Sequence, residues 1–297
     1  MQPIHGIIPP MTTPFDQAGE LDLAMLQADV RYLIEDGGVH GLAVGGSTGE
    51  GHTLTTDELH RAVGVALEAS AGRAPVIAGI IVDSTREAIA RARALADLDV
   101  EALQVTPVHY LFKPDDDAML GFFADLVDAT GLPVIIYNVV PWSYCSPALL
   151  ARILTELEGV IGVKQSAADM QLLADLLLEV GDRATILSAV DALLYPSFCL
   201  GAHGAIAAIL TAVPQLCVAL WDAVQAGKHE HALELHERLL RIWHALAGPN
   251  LPANVKHAME LQGRPAGLPR APMPPSSPAQ RAALMEALDA AGLVDLP

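Results

Sequence analysis

The sequence predicts an α/β chain, a (β/α)8 barrel followed by a three-helix C-terminal extension. Eight short, nearly continuous apolar runs recur between Gly6 and Ala207, and amphipathic stretches separate them. From Gly227 onward only the helical pattern continues. Apolar strands alternating with helices imply a parallel sheet covered on both faces. Eight units in roughly 225 residues match a barrel in count and length.

In chain order the strand candidates are Gly6-Ile7-Ile8, Gly41-Leu42-Ala43-Val44, Pro75 to Gly79 and Ala102-Leu103-Gln104-Val105. Pro133 to Tyr137, Val160 to Val163, Thr185-Ile186-Leu187 and Gly204 to Ala207 complete the set. Leu23 to Ile34, Leu59 to Ala69 and Ala88 to Ala96 carry helical periodicity between them. Thr55-Thr56-Asp57-Glu58 and Ser84-Thr85-Arg86-Glu87 read as capping boxes. Ser146-Pro147 and Ser277-Pro278 each place a capping hydroxyl before a proline at the first helical position. Residues 1–226 form the expected barrel, and 227–297 the extension, with helices at His229 to Leu246, Ala253 to Leu261 and Ala279 to Ala291. The stretch Pro265 to Pro278, with six prolines, reads as a connector.

Composition excludes several classes. The 297 residues are 52% hydrophobic, which allows a substantial core. A net charge of -18, with no basic stripe, argues against a nucleic-acid surface. Cys145, Cys199 and Cys217 are odd in number and widely spaced, arguing against a disulfide framework or a zinc site. His229, His231 and His236 do not share one helical face and read as solvated surface, not metal ligands. The start, Met1 to Gly6, lacks a charged n-region, and no run is long enough to span a bilayer. The expectation is a cytoplasmic protein in a reducing compartment, with no membrane partner.

In a barrel, chemistry sits at the C-terminal ends of the strands. Lys164 ends the apolar run Gly159 to Val163, in a chain with four lysines. Burial there would lower its pKa and free an amine that attacks a carbonyl to form a Schiff base. Alternatively it snorkels to water from the strand end. Lys113, Lys228 and Lys256 read as surface lysines. Ser47-Thr48 lies in the glycine-flanked turn Gly45 to Glu50, suited to an anionic group or needed simply as a βα turn. Tyr137 ends the fifth run, placing a phenol where it could move protons or merely find a hydrogen-bond partner. Ser188 and Asp191 follow the seventh run.

Taken together these residues resemble the pyruvate-dependent class I aldolase family that contains dihydrodipicolinate synthase and N-acetylneuraminate lyase. Gly46-Ser47-Thr48-Gly49-Glu50 resembles its carboxylate-binding turn, Tyr137-Asn138-Val139 its strand-five segment, and Gly162-Val163-Lys164 its lysine segment. The resemblance implies that Lys164 forms an imine with a 2-oxo acid such as pyruvate. It implies that Ser47 and Thr48 hold the carboxylate and that Tyr137 shuttles protons. Lys164, Tyr137, Thr48 and Tyr110 form the catalytic set so expected, and Ser47, Thr48, Gly46, Trp142, His109 and Ala207 the substrate-binding set. No metal or organic cofactor is implied; the partners are pyruvate and an aldehyde, in a homotetramer built as a dimer of dimers.

This chain departs from the family pattern in two places. Where dihydrodipicolinate synthases have an arginine five positions after the strand-five tyrosine, it has Trp142. An indole cannot supply a bidentate charge contact, so aspartate semialdehyde is not expected as the aldehyde. The strand-four loop reads Val108-His109-Tyr110, and either His109 or Tyr110 could serve in proton relay across a dimer interface. A hydro-lyase acting on a 2-oxo-3-deoxy sugar acid through the same imine is an alternative. More distant are a serine hydrolase, through the Gly-x-Ser-x-Gly spelling of Gly45 to Gly49, and a non-catalytic binding barrel.

Overall fold

The structure, a computed structural model, describes residues 4–294; residues 1–3, part of the start read above, lie outside them. Its centre is an eight-stranded parallel sheet: β1 (Gly6–Ile7), β2 (Leu42–Val44), β3 (Val76–Ile80), β4 (Ala102–Val105), β5 (Val134–Asn138), β6 (Val160–Gln165), β7 (Thr185–Ser188) and β8 (Gly204–Ala205). From β2 to β8 each strand neighbours the next in sequence, and β1 pairs with β8. The edges β1 and β2 are joined by a parallel bridge between Pro10 and Ala43, with Ala43 N donating to Pro9 O at 3.0 Å and Met11 N to Ala43 O at 2.9 Å.

Helices α1 (Leu23–Glu35), α2 (Thr56–Ser70), α3 (Thr85–Arg93), α4 (Asp116–Thr130), α5 (Pro147–Glu156), α6 (Met170–Val180) and α7 (Leu194–Cys199) follow the first seven strands. After β8 come α8 (Ile209–Ala212) and α9 (Pro214–Gln225), then α10 (His229–Leu246), α11 (Leu251–Leu261) and α12 (Pro278–Ala290). Among the described residues no helix is long and apolar enough to cross a membrane.

Cap chemistry sets several helix starts. Thr55 forms a full capping box with Glu58, and Ser277 one with Gln280. Ser84 makes only half of the box expected there: its hydroxyl accepts from Glu87 N, at the start of a short, exposed helix. Ser146 caps α5 ahead of Pro147.

The core has two parts. A large cluster fills the space between sheet and helices. A smaller one, of Ile4, Ile8, Ala43, Ile77, Ala102, Ile135, Leu187 and Ile206, takes side chains from most of the strands. Because side chains alternate along a strand, residues two and four beyond these continue along the same face to the carboxyl ends. Tyr137 lies two beyond Ile135.

Candidate active site

Register brings the predicted lysine and tyrosine together. Lys164 is the parallel partner of Tyr137 on β5 and of Leu187 on β7. Lys164 is only 3% exposed, so it does not snorkel to water. Its Nζ stands 3.7 Å from the centroid of the Tyr137 ring. Burial lowers the Lys164 pKa, opposed by attraction to Tyr137 and, more weakly, to Asp191. The residue is thus held desolvated against an aromatic face.

The Tyr137 hydroxyl donates to Ser47 Oγ at 2.9 Å, linking β5 to the turn after β2. That turn is tightly closed. Gly45 has a φ of 76°, and a Cβ added to Gly51 would fall 1.8 Å from the Gly45 carbonyl oxygen. Glu50 N donates to Ser47 O at 3.0 Å, Gly51 N to Gly46 O at 3.0 Å, and Thr13 Oγ1 to Gly49 O at 2.6 Å. Ser47 is not on a strand-to-helix elbow: a 3-10 turn, Gly51–Thr53, intervenes before the Thr55 cap.

A cavity of about 240 Å³ opens beside these groups. Ser47, Thr48, Tyr137, Lys164 and Ala207, all named from sequence, line it, and Gly46 sits in the turn behind Ser47. Asp191 and Ser166 also line it, and Leu251 and Pro252 of α11 form part of its wall. Asp191 Oδ1 accepts from Ile209 N at 2.7 Å. Burial pushes its carboxyl up to about 6, against the lowering pull of the Ile209 N–H and Lys164.

Three predicted residues are not brought into this cavity. Trp142 is 71% exposed, with its indole N–H donating to His109 O at 3.0 Å. Tyr110 is 67% exposed. The backbone N–H groups of His109 and Tyr110 both donate to Asp83 Oδ1 at 2.8 Å, which fixes the loop backbone.

Other residues were missed in the sequence reading. Asp191 was visible at the end of its strand but carried no motif. Asn138 ties the loops together, donating to Cys145 O and Gln165 Oε1 at 3.2 Å while accepting from Cys145 N at 2.9 Å. Lys256 is the clearest correction: read as a surface lysine, it is 2% exposed, and its Nζ donates to Glu50 Oε1 at 2.7 Å.

Known proteins match the chain over nearly its whole length. The model of the dihydrodipicolinate synthetase family matches residues 3–291. A protein of Bradyrhizobium diazoefficiens named 4-hydroxy-tetrahydrodipicolinate synthase is 35% identical over 293 residues, 98% of each chain. The dihydrodipicolinate synthase structure from Thermotoga maritima superposes with a TM-score of 0.93 at 28% identity, covering 98% of this chain and 99% of that one. A prophage protein of the dihydrodipicolinic acid synthase family from E. coli K12, solved in complex with pyruvate, gives 0.92 at 28% identity, covering 98% and 100%. The chain belongs to the dihydrodipicolinate synthetase family, whose members are lyases of the class I aldolase type.

Proposed function

We propose that the chain is a lysine-imine lyase that makes or cleaves a carbon–carbon bond between pyruvate and an aldehyde. The observation that carries this reading is the buried Lys164 Nζ at 3.7 Å from the Tyr137 ring, beside a cavity, with the Tyr137 hydroxyl bonded to Ser47. In this reading the sheet is a closed (β/α)8 barrel formed by residues 1–226. Residues 227–297 extend it and supply Leu251 and Pro252 to the cavity wall.

The lone pair of Lys164 Nζ adds to the C2 ketone, giving a carbinolamine. Tyr137 passes a proton to the departing hydroxyl, which leaves as water as the imine forms. The protonated imine draws electrons from C3, so loss of a C3 proton yields a neutral enamine. C3 then attacks the aldehyde carbon, the aldehyde oxygen takes up a proton, and water hydrolyses the imine to return the amine. Ser47 and Thr48 hold the carboxylate of the 2-oxo acid, with Gly46 allowing the turn. Ala207 lines the wall.

The acceptor is proposed only as an aldehyde. Relatives named 4-hydroxy-tetrahydrodipicolinate synthase give no support to the exclusion of aspartate semialdehyde drawn from Trp142. Trp142 is exposed and does not line the cavity beside Lys164. Asp191 and Ser166 beside the cavity favour one further reading, a 2-oxo-3-deoxy sugar acid held by its hydroxyls and dehydrated through the same imine. We also take the exposed Tyr110, Leu111, Phe112 and Trp142 as an interface between copies of the chain, across which Tyr110 or His109 joins the proton relay.

The test is intact mass after incubation with pyruvate and borohydride, with Lys164→Ala alongside. A reduced pyruvyl adduct on the native chain alone supports the imine. No adduct on the native chain, or an equal one on the variant, overturns it.

A further inference from the structure

Glu50 is the residue immediately after the Ser47-Thr48-Gly49 turn, and its backbone is left-handed, with φ 53° and ψ 31°. A glutamate held there is strained, and the surroundings must over-determine the conformation. They do so through its side chain. The carboxylate is completely buried; Oε1 accepts from Lys256 Nζ at 2.7 Å and Oε2 from Arg270 N at 2.8 Å. Lys256 Nζ donates a second bond to Leu268 O at 2.7 Å. Both partners belong to the C-terminal segment, more than 200 residues away in sequence.

The rest of that segment is equally fixed. The Arg270 guanidinium bonds Glu58, the Gly19 carbonyl at 2.7 Å and the Thr53 carbonyl at 2.8 Å. It lies over the Phe15 ring at 4.2 Å. Pro252 and Lys256 are four positions apart, so they share one face of α11. That face presents Pro252 to the cavity and Lys256 to Glu50. One rigid helix therefore touches the cavity wall and the base of the turn together.

A buried ion pair is seldom the most stabilising way to fill a core, since two charges must leave water. Its location gives it a different use. We propose that Lys256 and Glu50 are positioning residues: the C-terminal segment clamps Glu50 and so fixes Ser47 and Thr48 for the carboxylate of the 2-oxo acid. This rests on the lysine-imine reading above. Neither residue lines the cavity, and the Glu50 carboxylate is taken up by Lys256 and the Arg270 N–H.

The measurement is the pyruvate concentration giving half-maximal borohydride trapping, together with the trapping rate at saturating pyruvate and the melting temperature. Lys256→Met keeps the aliphatic stem and removes the charge. It is expected to raise the half-saturating pyruvate roughly ten- to hundredfold, since a displaced binding group acts on affinity steeply. The saturating rate should fall much less. Arg264→Met is the control. It breaks the other buried ion pair of the same segment, Arg264 to Asp29 at 2.6 Å, without touching the turn. It should lower the melting temperature and leave half-saturation within about twofold, the scatter of additive, uncoupled sites.

If Lys256→Met melts lower with unchanged half-saturation, or shifts no more than Arg264→Met, the clamp is structural only and the proposal falls. Should Lys256→Met not fold, Lys256→Arg provides the reading: its planar fork cannot meet the carboxylate and the Leu268 carbonyl in the same geometry, so several-fold weaker half-saturation is expected. An unchanged value overturns the proposal. Native chain that forms no adduct overturns the imine reading itself, an outcome distinct from an adduct forming with unaltered half-saturation in the variants.

Discussion

Two lysines in this protein are almost equally buried, and their surroundings assign them opposite tasks. Lys164 is 3% exposed and Lys256 is 2% exposed. Desolvation is the first cause lowering the pKa of each. What opposes it differs. Lys256 has a carboxylate and a carbonyl oxygen within 2.7 Å, two charge-assisted bonds that hold a proton in place. Lys164 has a tyrosine ring at 3.7 Å and a more weakly attracting Asp191, whose carboxyl burial pushes up to about 6. Burial alone therefore does not make a lysine a nucleophile. Under the proposed lysine-imine reading, burial without a bonded carboxylate does.

The sharpest way to break this comparison is to separate the two halves of Tyr137. Tyr137→Phe keeps the ring face over which Lys164 lies and removes the hydroxyl bonded to Ser47. If the hydroxyl moves protons, the trapping rate with pyruvate falls about 10²- to 10⁴-fold, the usual range for loss of a positioned acid–base group. Rapid-quench mass measurement reads it directly. A change below threefold would assign Tyr137 to holding the amine and not to proton transfer.

Stability distinguishes the lysines next, and the expected signs are opposite. Lys256→Met leaves Glu50 buried without its cation, which costs about 3–5 kcal/mol. Lys164→Met removes a poorly compensated buried amine and should stabilise by about 0.5–2 kcal/mol, the common gain when a site's functional strain is relieved. The pH dependence follows from the sign of the shift. The folded-state pKa of Lys164 lies below its ordinary value of 10.5, so between the two the unfolded chain binds more protons and native stability rises with pH. The gain from Lys164→Met is therefore full below the folded-state value and fades as pH rises towards 10.5. Denaturant unfolding of both variants at neutral and alkaline pH measures this. Equal destabilisation by both substitutions would remove the distinction.

The same contrast explains what was legible in the sequence. Lys164 was visible because a lysine at the end of an apolar run conflicts with its neighbours, and a strand hides such a residue by itself. Tyr137 and the Ser47-Thr48 turn were visible because each ends a strand whose identity its apolar neighbours declare. Lys256 was not, because it sits in an ordinary amphipathic helix and its counter-ion is 206 residues away. Nothing local distinguishes it from a solvated lysine. The positions of the Trp142 and Tyr110 rings were not legible for another reason: a loop's backbone path decides where an aromatic ring goes, and Asp83 sets that path at Tyr110 by capturing the backbone N–H groups of His109 and Tyr110. The eight strands were read almost in full, yet β1 and β8 have only two ladder residues each, since their ends pass into bridges and turns.

Asp191 offers the smallest test, and the most specific to Lys164. Its carboxyl titrates at about 6, so it is largely neutral in mild acid and charged at neutral pH. Raising the pH through that value adds a negative charge to the wall that also contains Lys164, favouring the positively charged imine over the neutral amine and ketone. The pyruvate needed for half-maximal trapping should fall by a few-fold across an inflection near pH 6. Asp191→Asn preserves an oxygen for the Ile209 N–H and never acquires the charge. In that variant the gradual dependence from lysine deprotonation should remain and the inflection should vanish. An inflection that survives the substitution would place the titrating group elsewhere. The attraction that distinguishes Lys164 from Lys256 would then come from Tyr137 alone.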